Sequence, residues 1–373
     1  MVHFNVNFKN FNSFVDITLS MAKTLTKLGI PVSVEQSEIA EHALRIFTED
    51  EKTLLADWMS RTPSDLFQLK WSHYWKPLFL KELNGHLNLE FFAINYEFAR
   101  QNEEFDYWIQ DVVGNSSHKL ATSEFCKNVL IKSGCPPANV SVMPLGFNPL
   151  IAEQYRPKSF KSETDLKSIL HMTNSFDLYR FGTDILIQAF CQEFRNDSSV
   201  ELIVKDGGNQ SNLILELIAE VNKKVGNFKP TIKVKGKVVT KQELADLYLS
   251  ADAFVAPFRG EGFGIKVLDA FAAGLPVAIP LYSGPTDYAN TANCYPIAYD
   301  VVPVGKCYDT EYLVIRNSPH WAEPNIASLR EQLRKIVEDP MRYQVGKKAK
   351  ETADQFSWEA STHKLLKLMR QLF

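Results

Sequence analysis

The sequence predicts an α/β protein made of two doubly wound domains, each built on an open parallel sheet. Its 373 residues are enough for two domains, because a typical domain contains about 150 residues. Short apolar runs alternate with helical stretches along most of the chain, which is typical of βαβ units. One polar stretch at about residues 152–165, rich in Lys, Ser and Glu, interrupts this alternation. We expect the domain boundary there.

The first half of the chain shows the β-α-β pattern from its start. Apolar and polar residues alternate in the predicted strands, while the predicted helices show a longer period and end at glycines. The predicted elements are a strand over 2–8, a helix over 14–28, a strand over 31–35, a helical and aromatic middle, strands at 87–97 and KLATS, a helix over 124–133 and a strand at VSVMPLG. These elements predict a Rossmann-like domain over residues 1–152.

The second half repeats the pattern and predicts a second Rossmann-like domain over residues 166–354. Its predicted elements are strands at SILHMT, VELIVK, TIKVKGKV, AFVAPF and PVAIP, separated by helices over 183–192, 213–225, 241–249 and 265–273. Open parallel sheets bind ligands at the carboxyl ends of their strands, so we expect a binding site where the two domains face a cleft.

The last residues, 357–373, predict an amphipathic helix that closes the chain. Ser357 is suited to the N-cap position. An apolar stripe follows at helical spacing, formed by Leu365, Leu366, Leu368, Met369 and Leu372.

Composition excludes several classes of protein. Lys and Arg together number 41 and Asp and Glu 44, for a formal net charge of −3, so no overall positive field attracts nucleic acid. The five cysteines are odd in number and scattered without a CxxC pair, which favours a reduced, cytoplasmic location. The first residues do not resemble a secretory signal, and the most apolar stretch, residues 270–282, contains one glycine and two prolines. We therefore expect neither export nor a membrane-crossing helix.

The loop after the strand AFVAPF carries the strongest chemical pattern, RGEGFGIKVLDAFAAGLPV. Gly262 and Gly264 allow the backbone to approach a ligand closely, and the helix that begins near Ile265 directs unpaired N–H groups at an anion such as a phosphate. Glu261 and Asp269 could hold hydroxyl groups on either side of a diphosphate. The alternative is an exposed loop acid followed by an acid that the helix dipole favours.

A wider pattern around this loop resembles glycosyltransferase family 4. The segment ADLYLSADAFVAPFRGEGFGIKVLDAFAAGLPVAIP, followed by SGPTDY, is similar to the donor-binding half of that family, whose core is an E-G-F-G loop with a second acid eight positions later. Residues 120–149 and the closing FSWEASTHKLL are similar as well, so the resemblance covers most of residues 87–373. It implies the GT-B architecture: an acceptor-side and a donor-side Rossmann-like domain facing a cleft, with the last helix crossing back to the first domain.

The chain departs from the family pattern at three positions. The second acid is usually Glu, and Asp269 is one methylene shorter. The family usually has an Arg soon after the first strand of the donor domain and a Lys before the next Gly, and here Asn174 and Phe181 take these places. One expected diphosphate cation is therefore missing. The remaining candidates are Arg180, Lys266 and Lys205, and for each alone a solvated surface charge is the alternative.

The resemblance implies a retaining glycosyltransferase that moves a hexose, glucose in the first instance, from a UDP-sugar to a saccharide or lipid-linked saccharide acceptor in polysaccharide or glycan biosynthesis. Catalytic roles fall on Glu261, Arg180 and Lys266. The donor-binding candidates are Asn174, Lys205, Lys237, Val238, Gly262, Phe263, Gly264, Ile265 and Asp269. The loop around Lys237 is expected to contact the base. No resident cofactor and no metal are expected, because the chain has no Asp-x-Asp motif to bridge a metal and a diphosphate.

Other functions remain open at this point. The departures from the family pattern would also fit a catalytically inert scaffold or chaperone subunit of a partner enzyme, and an epimerase or phosphorylase could use the same architecture. A dinucleotide-binding GxGxxG motif is excluded because Val267 stands at the third glycine position. The expected partners are a nucleotide-sugar donor and a saccharide acceptor, without nucleic acid, and a peripheral contact with the inner face of the membrane is compatible with them.

Overall fold

The computed structural model describes residues 1–6, 13–35, 39, 41–61, 67–72, 87–94, 117–157, 167–195, 197–208, 210–226, 231–236, 239–304 and 319–372. These residues divide into two compact units. The first unit comprises the described residues of Met1–Ile94, Arg100–Gly146 and Phe356–Phe373, and the second comprises those of Phe147–Gln355.

The first unit contains a six-stranded sheet in which every neighbouring pair of strands is parallel. The strand order β2-β1-β3-β4-β5-β6 is a doubly wound order, because the chain builds the sheet outward in both directions from β1. The strands are β1 Val2–Asn5, β2 Val32–Val34, β3 Phe67–Ser72, β4 Leu87–Phe92, β5 His118–Ala121 and β6 Val140–Val142. The helices before the domain boundary are α1 Ser13–Lys27, α2 Glu41–Leu44, α3 Glu49–Ser60 and α4 Glu124–Lys132.

Strand β3 corrects the prediction of a helical and aromatic middle. Its sequence FQLKWS alternates apolar and polar residues, which is the period of a strand. The register aligns Phe67 with Val2 on one side and with Leu87 on the other, so this strand connects β1 to β4. The prediction was wrong here because the neighbouring aromatic residues obscured a short alternating run.

The second unit contains another six-stranded parallel sheet, with the order β9-β8-β7-β10-β11-β12. Its strands are β7 Lys167–Thr173, β8 Val200–Asp206, β9 Ile232–Gly236, β10 Ala253–Val255, β11 Val277–Pro280 and β12 Tyr295–Ile297. Its helices are α5 Pro149–Gln154, α6 Thr183–Glu193, α7 Ser211–Val225, α8 Lys241–Ser250, α9 Ile265–Ala272, α10 Ile326–Glu338 and α11 Arg342–Ala353. An antiparallel hairpin, β13 Tyr299–Pro303 and β14 His320–Pro324, was not predicted.

The core of the second unit explains why these strands are so apolar. Ile169, Leu202, Val204, Val255 and Ala278 are fully buried among side chains of the flanking helices. Parallel strands that are covered on both faces carry continuous rather than alternating apolar runs. The apolar runs therefore predicted this sheet well, although they overestimated the length of β10.

The C-terminal helix, α12 Trp358–Leu372, belongs to the first unit and packs against α1. Ser357 accepts a hydrogen bond from the Ala360 N–H at 3.1 Å, which confirms the predicted N-cap. Leu365 and Met369 of its apolar stripe are buried. The return of the last helix to the first domain is thereby confirmed. None of the helices within the described residues is both long and apolar enough to cross a bilayer.

Candidate active site

The second sheet has a topological switch point between β7 and β10. The chain proceeds from β7 to β8 and β9 on one side, and from β10 to β11 and β12 on the other. The loops that follow β7 and β10 therefore diverge and leave a crevice at the carboxyl ends of these two strands. Loop 174–182 leads from β7 to α6, and loop 256–264 leads from β10 to α9.

Each of these loops ends at a glycine that begins a helix. Gly182 has φ +67°, and a Cβ there would lie 1.8 Å from the carbonyl oxygen of Pro257. Gly264 has φ +80°, and a Cβ there would lie 2.6 Å from Cγ of Pro285. Within the described part of the chain, no side chain caps α6 or α9. The first N–H groups of α9 are therefore suited to an anion, whereas at the start of α6 the Thr183 N–H already donates to the carbonyl oxygen of Leu178 at 3.0 Å.

Glu261 and Arg180 come together across the two loops. Nη1 of Arg180 lies 3.4 Å from Oε1 of Glu261 and donates to the carbonyl oxygen of Gly260 at 3.0 Å. Nε of Arg180 donates to Oδ2 of Asp177 at 2.5 Å. The side chain of Glu261 is 18% exposed, so its carboxylate can reach a ligand. Two carboxylates thus share the charge of Arg180, and sequence reasoning had missed Asp177.

Lys266 lies in the same cluster but is held differently. Its Nζ is 3.4 Å from the centroid of the Phe181 ring, and Cζ of Arg180 is 4.1 Å from the same centroid. Burial lowers the pKa of Lys266 to about 7, although Glu261 raises it, and Arg180 adds to the lowering. The Lys266 side chain is therefore held partly as the neutral amine near pH 7, and it takes up a proton when negative charge arrives.

Lys205, near the carboxyl end of β8, lies close enough to this cluster for its charge to act on Lys266. Nζ of Lys205 donates to the carbonyl oxygen of Asp206 at 2.5 Å. Burial lowers the pKa of Lys205, and Asp206 and Glu243 partly offset that effect. The three predicted cations therefore converge at the carboxyl edge of the sheet, and Lys205 is buried there.

Asn174 closes its own loop. Its Oδ1 accepts a hydrogen bond from the Phe176 N–H at 2.9 Å, which is an Asx turn. The next residue is anchored as well, since Oδ1 of Asp206 accepts the N–H of Ser175 at 2.8 Å and that of Gly208 at 2.7 Å. Asp206 thus joins the loops that follow β7 and β8. A contact between Asn174 and the donor stays a prediction.

Asp269 accepts a hydrogen bond from another residue of the second unit, Asn148. Its side chain is almost fully buried, and Oδ1 accepts the N–H of Asn148 at 2.8 Å. Asn148 is the N-cap of α5, and its Nδ2 donates to the carbonyl oxygen of Lys241. Asp269 therefore connects α9 to α5 and, through Asn148, to α8. Its predicted grip on a ribose stays a prediction, as do the roles of Lys237 and Val238, which lie outside the described residues.

The E-G-F-G loop is supported from the segment SGPTDY. Oη of Tyr288 lies 3.0 Å from the carbonyl oxygen of Phe263 and 2.8 Å from that of Gly264. Burial raises the pKa of Tyr288 well above its ordinary value, so the hydroxyl stays protonated and donates. Oγ of Ser283 accepts the Glu261 N–H at 3.0 Å. Within this loop Gly262 and Phe263 are buried, and Ile265 at the start of α9 is partly exposed.

Ser283 has an unusual backbone for this task, with φ +55°. A non-glycine residue with positive φ is strained and persists where the surrounding contacts enforce it. The next residue, Gly284, packs so closely on the E-G-F-G loop that a Cβ there would lie 2.3 Å from the carbonyl oxygen of Gly262. This close packing constrains the backbone at Ser283. Sequence reasoning noticed SGPTDY only as part of the resemblance and assigned no role to Ser283 or Tyr288.

Arg259 is a fourth cation, on loop 256–264 itself, but its donors are used within the protein. Its guanidinium binds Asp184 at 2.8 and 3.0 Å and Glu323 at 2.6 and 2.7 Å, and it also donates to the carbonyl oxygen of Tyr179. A cavity of about 310 Å³ adjoins it, with Glu220 also in its wall. Because Arg259 is paired and the other nearby charges are mostly acidic, this cavity does not suit a diphosphate.

His171 is a packed strand residue of β7. It is fully buried, with Nδ1 2.9 Å from the carbonyl oxygen of Val255 and Nε2 3.0 Å from Oγ1 of Thr183. Burial lowers its pKa to about 4, against a smaller raising effect of the bond to Val255. The neutral imidazole therefore donates from Nδ1 to β10 and accepts from Thr183 at the start of α6. It joins the two strands of the switch point.

Comparisons with known proteins agree with this geometry. Residues 167–293 match the family model of Glycosyl transferases group 1. The D-inositol 3-phosphate glycosyltransferase of Corynebacterium aurimucosum is 28% identical over 187 residues, 49% of this chain and 38% of that protein. The mannosylfructose-phosphate synthase of Agrobacterium fabrum is 30% identical over 107 residues, 28% of this chain and 23% of that protein. The chain thus spans well under half the length of these curated relatives.

Solved structures align along the whole chain. The sucrose-phosphate synthase of Thermosynechococcus elongatus has a TM-score of 0.66 at 17% identity, and the alignment covers 100% of this chain and 98% of that one. HepE of Anabaena, in complex with UDP and glucose, has a TM-score of 0.65 at 12% identity and covers 99% of both chains. At these identities the likeness shows the fold, and the predicted GT-B fold is confirmed. Residues 167–293 thus match the glycosyl transferases group 1 family, and the chain as a whole has the GT-B fold.

Proposed function

We propose that this chain is a retaining glycosyltransferase that moves a hexosyl group, glucose in the first instance, from a UDP-sugar to a hydroxyl group of a saccharide. The observation that carries this proposal is the convergence of Arg180, Lys266 and Glu261 at the start of α9, at the carboxyl ends of β7 and β10. Cations and a helix N-terminus suit a diphosphate, and a partly exposed carboxylate suits sugar hydroxyls.

The comparisons support the class of donor. The names of the curated relatives describe transfer or synthesis of glycosides, and one aligned structure contains UDP and glucose. UDP-glucose is therefore the first donor to test. The acceptor is a saccharide, free or lipid-linked, and the product belongs to polysaccharide or glycan synthesis.

The chemistry requires stabilisation of a leaving group. The acceptor oxygen forms the new bond to the anomeric carbon, the bond from that carbon to the diphosphate oxygen breaks, and negative charge develops on that oxygen. Arg180, Lys266 and the first N–H groups of α9 face this charge. Glu261 accepts hydrogen bonds from hydroxyl groups of the donor sugar, which fixes the anomeric carbon next to the diphosphate site.

The remaining roles follow from position. Lys205 adds positive potential from the end of β8, and the backbone of Gly262, Phe263 and Gly264 lies against the sugar and phosphate. Asp269 binds the ribose with the carboxylate oxygen that does not accept from Asn148. Asn174, Lys237 and Val238 belong to the phosphate and base ends of the same donor.

Transfer is metal-independent in this proposal. The sequence has no Asp-x-Asp motif, and among the described residues no three His, Cys, Asp or Glu side chains are grouped as metal ligands. Arg180 and Lys266 supply the positive charge instead. Donor turnover should be the same with and without EDTA, and loss of turnover with EDTA that manganese restores would contradict this part of the proposal.

A panel of nucleotides tests the proposal as a whole. Thermal unfolding is measured with UDP, GDP, ADP and their glucose conjugates, because a ligand at 100 times its Kd adds about 2.7 kcal/mol to stability. We expect the largest shift with UDP and UDP-glucose. Turnover of UDP-glucose with a saccharide acceptor should then give a product of retained anomeric configuration by NMR. Binding without turnover, with any acceptor or with water, would favour an inert scaffold.

A lipid-linked acceptor would bring the chain to the inner face of the membrane. Sedimentation with vesicles that contain anionic lipid tests this peripheral contact. Recovery of all protein in the supernatant would restrict the acceptor to free saccharides.

A further inference from the structure

The loop after β7 places an aromatic ring against both cations of the site. Phe181 is 8% exposed, and its ring centroid lies 3.4 Å from Nζ of Lys266 and 4.1 Å from Cζ of Arg180. The face of an aromatic ring attracts a cation electrostatically, and the attraction grows when water is excluded. The two cations come from different elements, loop 174–182 and helix α9, so the ring is their common contact.

The backbone fixes this ring. The Phe181 N–H donates to the carbonyl oxygen of Asp177 at 3.3 Å. The next residue, Gly182, is in the left-handed region and packs against the Pro257 carbonyl, where no side chain would fit. Phe181 therefore has little freedom to move away from Lys266, and its ring is held by the same contact that joins the two loops of the switch point.

Contact with a ring leaves the ammonium donors available. Arg180 donates to Asp177 and to Gly260, whereas among the described residues Nζ of Lys266 donates no hydrogen bond within the protein. An ion pair with a carboxylate would direct the N–H groups of Lys266 at the protein. The ring face instead stabilises the charge without accepting these protons in a directed bond. Lys266 can thus give its donors to an incoming anion.

The charged groups that face Lys266 come from every element around it. Glu261 lies on loop 256–264 just before α9, Arg180 and Asp177 lie on loop 174–182, and Lys205 lies near the end of β8. His171 of β7 is also within electrostatic reach, but it is neutral at pH 7. The effects of two carboxylates and two cations on the pKa of Lys266 oppose each other, so burial decides its protonation in the absence of a ligand. A diphosphate would shift that balance toward the ammonium.

We propose that Phe181 is a positioning residue whose ring holds the Lys266 ammonium at the start of α9, with its N–H donors directed to the diphosphate, so that donor binding takes up a proton at this lysine. The inference rests on the proposed function. It assigns Phe181 a role in binding that a buried packing residue would not have, and it makes the affinity for the donor depend on pH.

The sign of the pH dependence follows from linkage. Lys266 titrates near pH 7 without a ligand and at higher pH when a diphosphate faces it. Affinity is therefore full below pH 7 and decreases as the pH rises above 7, and protons are taken up on binding in that range. Without the ring the ammonium loses part of its stabilisation, so the midpoint of this decrease should move to lower pH.

Calorimetric titration with UDP-glucose tests the proposal. This probe is a diphosphate diester, so it lacks the phosphate ionisation near pH 6 that a phosphomonoester has. Titrations at pH 6 to 9, in two buffers with different ionisation enthalpies, give the affinity and the number of protons bound. For the wild type we expect proton uptake at pH 8. Phe181→Leu should bind UDP-glucose roughly three- to tenfold more weakly at pH 7, and the pH at the midpoint of the loss of affinity should be lower. Phe181→Tyr should restore the affinity and this midpoint pH.

Two further variants separate positioning from packing. Lys266→Met should bind weakly at every pH and take up no proton. Phe194→Leu makes the same substitution at a buried ring that lies 4.5 Å from Cζ of Arg334 at the end of α6. It should destabilise the fold, but the pH at the midpoint of the loss of UDP-glucose affinity should be the same as in the wild type. Phe181→Met replaces Phe181→Leu if the latter does not fold.

The outcomes distinguish this proposal from the proposed function. A wild type that does not bind UDP-glucose would overturn the proposed donor, and this inference with it. A wild type that binds without proton uptake, or with a midpoint that neither Phe181→Leu nor Phe181→Met moves, would overturn the role of Phe181 alone. An equal shift in Phe194→Leu would also overturn it, because the effect would then follow from general loosening of the unit.

Discussion

Glu261 is the residue whose position the loops determine most closely. Its backbone N–H is bound by Ser283, its carbonyl oxygen accepts the Gly284 N–H at 2.9 Å, and its carboxylate faces Arg180. A side chain held at both backbone groups loses little freedom when a ligand binds, and such pre-organisation is what a transition state requires. The strain at Ser283 is consistent with this constraint.

Glu261→Gln should lower the turnover of UDP-glucose by on the order of a hundredfold, because hydrogen bonds to a charged acceptor are roughly twice as strong as those to a neutral one and a dry site amplifies them. The measurement is kcat with a fixed saccharide acceptor, with circular dichroism as a check of the fold. Glu220→Gln, which alters an exposed ion pair with Lys224, is the matched control. Equal kcat in both variants would reject the role of Glu261.

At the residue scale the sequence predicted which residues form the site better than how they are held. Glu261, Arg180 and Lys266 could be found, because glycines and a helix start identify a phosphate-binding loop in one stretch of chain. Ser283 could not, since it contacts Glu261 from another loop, and such contacts depend on the strand order. The pairing of Asp177 with Arg180 within loop 174–182 was also missed. The replacement by Phe181 was visible in the sequence, but not its contact with Lys266.

At the scale of elements, two loops meet where Gly182 touches Pro257. This contact brings the starts of α6 and α9 to one crevice. The prediction identified Gly264, which ends a loop between an apolar run and a helix, but it gave no role to Gly182. It could not find the contact between Gly182 and Pro257, because nothing local to either loop encodes a distance across the switch point.

Gly182→Ala should destabilise the second unit by several kcal/mol, because an added Cβ must displace a backbone carbonyl in addition to the left-handed strain of roughly 1–2 kcal/mol. Gly226→Ala is the control in the same unit. Gly226 also has positive φ, but its nearest neighbour is the end of the Arg195 side chain, which can move. Urea denaturation measures both variants. Equal losses of stability would show that the contact with Pro257 is unimportant.

His171 connects β7, β10 and α6, and it should make stability depend on pH. Its pKa is lowered to about 4 from an ordinary value near 6.5, so the unfolded chain binds more protons between these values. Stability is then full above pH 6.5 and decreases as the pH falls toward 4, by on the order of 3 kcal/mol for this residue.

The measurement is the free energy of unfolding at pH 7 and at pH 4.5 for the wild type and His171→Gln. The decrease between the two pH values should be smaller in the variant. His363→Gln, at an exposed position on α12, controls for the other histidines, among which burial also lowers the pKa of His3 and His118. A decrease of the same size in wild type and His171→Gln would contradict the buried, neutral assignment.

At the scale of the whole molecule, the alternation of strands and helices predicted two Rossmann-like units and the return of the last helix. Parallel sheets made this possible, because their covered strands are continuous apolar runs. Strand β3 and the hairpin β13–β14 were missed, since short alternating strands carry a weaker signal than buried ones. The order of the second sheet, which creates the switch point, could be expected only from the family resemblance.

In the proposed function, the second unit binds a nucleoside diphosphate through its phosphates at the start of α9. Three observations support this placement. Among the described residues no side chain caps α9, the cations Arg180 and Lys266 lie beside its start, and the family model matches residues 167–293. Each charge-assisted contact with a phosphate contributes roughly 1.5–3 kcal/mol, which is about ten- to a hundredfold in affinity.

Isothermal titration at pH 7 with UDP and with uridine tests whether these cations bind the phosphates. The proteins are the wild type, Lys266→Ala, Arg180→Ala and the double variant, with Lys224→Ala as a surface control. Each single substitution should weaken UDP binding by about ten- to a hundredfold and leave uridine binding unchanged, because only the phosphates face these cations. The double variant should lose less than the sum of both effects if the two side chains bind one phosphate. Equal UDP affinity in all five proteins would contradict the account.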